Sequence, residues 1–326
     1  MRNNIFLTLI LVLLVSCKDK SSNQEKFLLD SSGNINNVSV VMDNDIWNGQ
    51  IGDAVRNVLT TSIYGLPQDE PMFTLSQIPP SVFSGFVTKN RTILKIEVNK
   101  PKALNIADNV YAKPQKVITI SGTTRQEIVD VLNENANDII TIFRDMELAE
   151  RTRQMAKAPH NFTGVKEKLD LTLQFASIYS IATETDNFFW FKKDITTGTT
   201  NLLIYELPYN TITRNDSIVN QIIRVRDSIG KTHIEGVLEN TYMVTENSYA
   251  PFIKETILDN KPAFETKGIW DLKNGFMGGP FINYAVEDKA HNRWIVIEGF
   301  VFAPSVEKRD YMLEMEAIIK SLKIDD

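Results

Sequence analysis

Of 326 residues one is cysteine and three are histidine, so the chain has little with which to do thiol or imidazole chemistry. A single cysteine cannot close a disulfide, and it rules out Cys-rich metal motifs. The histidines, His160, His233 and His291, are scattered without the spacing of metal ligands. Basic clusters are missing as well: 35 Lys and Arg face 41 Asp and Glu, for a formal charge of −6, which argues against nucleic acid as a partner. No Ser sits in a G-x-S-x-G context, so a nucleophile elbow is absent. Gly230-Lys231-Thr232 looks like the end of a P-loop, but the position that must hold the first glycine is Val225. Long apolar runs are scarce too. The one at the N-terminus, Ile5 to Val15, is too short to span a bilayer core, which takes about 20 helical residues.

That short run lies between Arg2 and Leu14-Val15-Ser16-Cys17. A positive start, a short apolar stretch and a small residue at the exit describe a secretory signal peptide. The last four residues resemble the lipobox of bacterial lipoproteins. The expected cut lies between Ser16 and Cys17, with Cys17 then carrying acyl chains such as palmitate; an ordinary signal peptide with a chance cysteine is the alternative. Several acyl chains make a stable anchor where one would not. A chain lipidated at Cys17 has no free thiol left, so its core alone must hold it folded in an oxidising compartment. The expected address is the outer membrane, on its periplasmic side or at the cell surface. Lys18-Asp19 carries too little acidity after the lysine to decide between them. Residues 17–35 read as a polar tether with a reach of roughly 20–25 Å.

The folded chain divides by pattern into residues 36–160 and 161–326. In the first part VSVVM, MFTLSQI, TILKIEV and KVITIS read as strands. Ile51, Val55, Val58 and Leu59 recur at helical spacing. Thr124 and Glu127 have capping-box spacing, and a stripe from Ile128 to Met146 predicts one long helix without a stop until Pro159. Its charged last third, ELAERTRQMAKA, is expected to reach the second domain. That domain opens with LDLTLQF and FFWFKK, whose four aromatics suit a strand covered on both faces or, alternatively, a carbohydrate platform. A helix from about Asp216 is expected to end at Gly230. An antiparallel meander and a last helix capped by Ser305 follow. The fold class expected is α+β with two domains, each a largely antiparallel sheet packed with helices.

Unusual residues concentrate between 226 and 309. Arg226 and Asp227 lie off the apolar stripe of their helix. Gly278 and Gly279, in the GFMGGP loop, permit positive φ or close backbone approach. A tightly wound connection explains them; so does a ligand held against backbone amides beside Trp270, Arg226 or Arg293. These six residues are the candidate binding set, with no catalytic residue, metal or cofactor assigned.

The lipobox start, GDAVRNVL with YGLPQDEPMF, and the series FFWFKK, RDSIGK, ETKGIWDL, GFMGGPFINY and EGFVFAPSVEKRDYM are similar to one bacterial lipoprotein family, domain of unknown function 4837. The resemblance covers nearly the whole mature chain. It implies an exported, lipid-anchored envelope protein and brings no activity or catalytic residue with it. Two functions follow as expectations. One is a non-enzymatic module that binds an envelope protein or glycan while the lipid holds it to the membrane. The alternative is a glycan or peptidoglycan hydrolase built on two carboxylates that meet only in space.

Overall fold

The computed structural model describes residues 27–325, which form seven α-helices and fifteen strands. The signal peptide 1–16, the Ser16–Cys17 cut and the lipidation of Cys17 lie outside the described residues. The chain is α+β with two domains. No helix among the described residues is long and apolar enough to cross a membrane.

The first domain carries a five-stranded sheet in the order β2-β1-β3-β5-β4. Its strands are β1 (Asn37–Val41), β2 (Thr74–Ile78), β3 (Thr92–Val98), β4 (Ala103–Asp108) and β5 (Lys116–Gly122). Three of its four pairings, β1–β2, β1–β3 and β3–β5, are parallel, and only β4–β5 is antiparallel. The expectation of a largely antiparallel sheet thus fails for this half while holding for the other. The cause is the connections: helices α1 (Asn44–Trp47) and α2 (Gln50–Leu59) lie between β1 and β2 and return the chain to run the same way. Ile51, Val55, Val58 and Leu59 of α2 are buried against Val38, Val40, Leu94 and Ile118 of the sheet. Strand β4 escaped the sequence because it is a mostly exposed edge on which Leu104 packs against the core and Ile106 is 43 % exposed.

The long helix is two helices, α3 (Arg125–Glu134) and α4 (Ala136–Met155), broken at Asn135. Thr124 and Glu127 close the expected capping box. At Asn135 the backbone leaves helical geometry (φ −112°, ψ 16°) and the side-chain amide donates to the Val131 carbonyl at 2.7 Å. A short polar side chain able to bond its own backbone competes with helix continuation, which Ile128-to-Met146 periodicity does not register. Helix α4 serves both cores: Ile139 and Phe143 pack in the first, Leu148 and Met155 in the second.

In the second domain α5 (Gly164–Leu169) precedes β6 (Leu171–Thr172), which pairs with the C-terminal β15 (Lys323–Ile324). An antiparallel sheet follows in the order β10-β12-β13-β14-β9-β8-β7, with β11 also on β12. These are β7 (Ser180–Glu184), β8 (Phe188–Ile195), β9 (Gly198–Pro208), β10 (Tyr242–Thr245), β11 (Phe252–Leu258), β12 (Lys261–Lys273), β13 (Gly278–Asp288) and β14 (Arg293–Phe302). Its two faces carry separate cores. Helix α6 (Ile218–His233) covers one face; α7 (Arg309–Lys320) and the end of α4 cover the other. The FFWF run serves both: Phe189 and Phe191 enter the α7 core, Phe188 and Trp190 the α6 core.

Two helix ends differ from expectation. Helix α6 runs through Gly230 to His233, because the glycine lets β10 approach; a Cβ there would lie 2.2 Å from the Met243 carbonyl oxygen. Helix α7 starts at Arg309, and Ser305 stands four residues before it in the left-handed region (φ 64°). The first-turn donors of α7 are satisfied from the other domain. The buried Glu70 carboxylate accepts from the Lys308 amide at 2.8 Å and the Arg309 amide at 2.8 Å. The QDEP and EKRDY stretches therefore meet at the domain seam.

A charged cluster beside that seam sets an acid limit on stability. Glu316 is 4 % exposed and bonds Arg144, with Lys267 at 3.5 Å and Lys320 at 3.2 Å. Although burial opposes it, the three cations hold the Glu316 carboxyl far below the usual carboxylate range. A group depressed on folding contributes stability that is present above its unfolded pKa, about 4.3, and is lost as pH falls toward the folded value. The urea midpoint of the wild-type chain is expected to drop as pH falls below about 4.5. In Glu316→Gln the midpoint should be lower at neutral pH and fall less steeply, by up to about 1.4 kcal/mol per pH unit of slope. Parallel pH profiles for the two proteins would refute this assignment.

Candidate functional site

The six candidate residues do not form one site. Arg226, on α6, is 1 % exposed and bonds the Glu298 carboxylate of β14 through Nε at 3.0 Å and Nη2 at 2.9 Å. Its Nη1 donates to Thr245 Oγ1 at 3.0 Å, and the guanidinium lies 3.8 Å from the Phe281 ring centroid. Asn283 Nδ2 donates to the other Glu298 oxygen at 2.9 Å. Burial beside Glu298 also pushes the Tyr205 phenol well above its ordinary pKa. Asp227 accepts from the Thr245 amide at 2.7 Å and its hydroxyl at 2.8 Å. RDSIGK thus clamps α6 to β10 and β14 and leaves no face of Arg226 open to a ligand.

Arg293 is elsewhere. It stands at the start of β14, eight residues from Val301, or roughly 27 Å at 3.4 Å per residue. Its Nε donates to Asp288 at 2.9 Å, Nη1 to Glu206 at 3.0 Å and Nη2 to the Leu169 carbonyl at 2.7 Å. A guanidinium with three partners here ties the β13–β14 turn to α5.

Trp270 and Gly279 do come together. They are register partners, and Trp270 Nε1 donates to the Val301 carbonyl at 3.1 Å. A Cβ on Gly279 would lie 2.0 Å from that same oxygen and 3.1 Å from the indole nitrogen, so the glycine allows close approach, as expected. Gly278 pairs with Asp271 at the start of β13, where a Cβ would lie 2.9 Å from the Trp270 carbonyl oxygen, so it too allows close approach.

Trp270 lines a pocket of about 320 Å³ at the end of the sheet, on the α6 face. Its other aromatic walls are Trp190 of β8 and Phe300 and Phe302 of β14. The segment after α6 contributes Ile234 and Val237, and the GFMGGP loop contributes Met277. Both indole N–H groups are satisfied within the protein, Trp190 Nε1 donating to Asn201 Oδ1 at 3.0 Å. The volume falls within the range of small-molecule sites, about 300–1,000 Å³. The two segments that border it are tied by a bond from Asn274 Nδ2 to the Asn240 carbonyl at 3.2 Å. They carry some of the most exposed apolar side chains of the protein: Phe276 at 103 %, Val237 at 94 % and Leu238 at 64 %. Among the candidates named from the sequence, Trp270 alone lines this pocket. Trp190, Phe300 and Phe302 lay within FFWFKK and EGFVFA, but alternation along a strand does not tell a covered aromatic from one that faces a cavity.

The histidines stay apart. His160 stacks on Phe175 at 4.7 Å, His233 stacks on Phe188 at 4.0 Å, and His291 pairs with Asp288 at 2.8 Å. Burial lowers the His233 pKa.

Among buried carboxylates, Glu265 and Glu316 are near one another, both within 3.5 Å of the Lys267 ammonium. Lys267 lowers Glu265 and, after Arg144, Glu316, against the burial that would raise them. A glycosidase pair needs one carboxyl raised so that it can donate a proton. Glu316 borders a space of only 20 Å³, room for about one water.

No curated protein matches this chain. Among solved structures, human StAR-related lipid transfer protein 5 aligns over 52 % of this chain and 96 % of its own, at 10 % identity. The TM-score of that alignment is 0.25, too low to carry a shared fold. The first half, residues 31–156, matches the profile of a second Domain of unknown function (DUF8532). Residues 158–321, which carry the pocket and most of the quoted motifs, match that of Domain of unknown function (DUF4837), and the chain belongs to that family.

Proposed function

We propose that this chain is a lipid-anchored envelope protein that works by binding, and that its second domain takes an apolar group of an envelope partner into the Trp270 pocket. The anchor is Cys17 on the outer membrane, at its periplasmic side or the cell surface; residues 29–35, expected to be the end of a free tether, are instead bonded to the first domain through Lys89, Arg91 and Lys113. The observation that carries the binding role is the 320 Å³ pocket walled by Trp190, Trp270, Phe300 and Phe302, with exposed Phe276 and Val237 beside it. Apolar side chains left in water at a concave site mark a place where something apolar comes to rest. The acyl chains account for the membrane, so the pocket is free to serve a second contact.

The test is fluorescence titration with a neutral apolar probe, N-phenylnaphthylamine, read by its enhancement and by energy transfer from Trp190 and Trp270. Saturable binding is expected, with a loss of about tenfold or more in Met277→Asp, which sets a charge in the half-buried wall. Absence of binding, or equal binding by the variant, overturns the assignment.

A further inference from the structure

The pocket is not uniformly apolar. At the β8–β9 side its walls become Lys192, Thr199 and Asn201, on the same sheet face as Trp190. We infer that the ligand is a single-chain anionic amphiphile, its hydrocarbon against Trp270, Phe300 and Met277 and its negative head against Lys192. This rests on the binding role proposed above and names the ligand class.

Asn201 is 2 % exposed; its Oδ1 takes the Trp190 indole N–H and its Nδ2 donates to Thr199 Oγ1 at 3.0 Å. Thr199 Oγ1 therefore has its acceptor side engaged and its own proton to give. Among the described residues Lys192 Nζ has only Asp194 within reach, at 3.5 Å, with side chains 42 % and 86 % exposed. A pair that open to water holds the ammonium only weakly. The polar end thus offers an ammonium and a hydroxyl proton, which suits a carboxylate, sulfonate or phosphate head. Glu235 is the one acidic residue in the lining and sits on the segment after α6, across from the sheet. Lys231 and Lys273 lie just outside, beside Tyr242, with Asp227. The walls between consist of aromatic rings, Met277 and Ile234, which a flexible hydrocarbon can follow closely.

The experiment is a paired titration of the full chain with dansyl-labelled undecanoic acid and with its methyl ester. Acid is expected to bind about tenfold more tightly than ester at pH 7, and the gap should shrink with added salt. Lys192→Met should remove the difference while leaving ester affinity within about twofold, which shows that the pocket is intact. Glu235→Gln should tighten acid binding and leave ester binding unchanged. Equal affinity of acid and ester for the wild type, both lost in Met277→Asp, overturns the anionic head while the apolar pocket stands. Binding of neither probe overturns the pocket's role itself, and with it the binding role proposed above.

Discussion

Residues 158–326 expressed alone are expected to show no cooperative urea transition, although they contain the whole family match and all eight strands of the large sheet. The missing half supplies what the second core lacks. Leu148 and Met155 of α4, 6 % and 4 % exposed, fill space against α7, and each is worth about 1.5–3 kcal/mol of burial. Arg144 is removed from Glu316, which keeps Lys267 and Lys320, so this loss stays below the roughly 3–5 kcal/mol of a buried charge left unpaired. The loss of Glu70 leaves the first amides of α7 without a carboxylate, at about 0.5–2 kcal/mol. Together these rival the 5–15 kcal/mol that holds an ordinary domain. Extending the segment back to Ala136 should restore α4 and part of the transition. A sharp transition in the short segment would show that the second domain stands alone, with the seam a mere contact.

Arg226→Ala is the second large effect, with an expected loss of about 3–5 kcal/mol in unfolding free energy. The substitution strands Glu298, 0 % exposed, with Asn283 as its remaining side-chain partner, and empties the space against Phe281. An unpaired carboxylate under a helix cannot reach water without lifting that helix. The double substitution Arg226→Met with Glu298→Gln should recover at least half of the loss, because the amide still accepts from Asn283 and the methionine refills the space. Denaturant unfolding of the three variants measures this. A loss under about 1 kcal/mol for Arg226→Ala would mean that water reaches the pair, against its burial.

These two results bear on why certain motifs stand out in the chain. RDSIGK looks like a ligand-binding sequence because charge and glycine crowd together in it, while QDEP and EKRDY are dense in charge alone. In the fold their charges find partners inside the protein: Arg226 the Glu298 carboxylate, Glu70 the first backbone amides of α7. From one sequence a charge that serves a buried ion pair and a charge that serves a ligand look the same. The pocket announced itself only through aromatics, and aromatics are also what cores are made of.

What the chain determined on its own is local. Periodicity placed α2, α6, the meander β10 to β14 and the strand FFWFKK, because burial demands that spacing. Thr124 and Glu127 predicted their capping box from spacing alone. Motif similarity identified the family, which the match over 158–321 bears out, whereas GDAVRNVL and YGLPQDEPMF fall in the half that matches the other domain of unknown function, so the resemblance covers the second half and not nearly the whole chain. What only the tertiary structure decided involves partners distant in sequence. The parallel run of β1, β2, β3 and β5 depends on how helices carry the chain over the sheet. The start of α7 depends on Glu70, 238 residues earlier than the Lys308 amide it accepts. The pocket depends on β8, β12 and β14 ending at one edge under the segment after α6. Such features rest on contacts between segments far apart in the chain, and a local pattern carries no record of which segment will arrive.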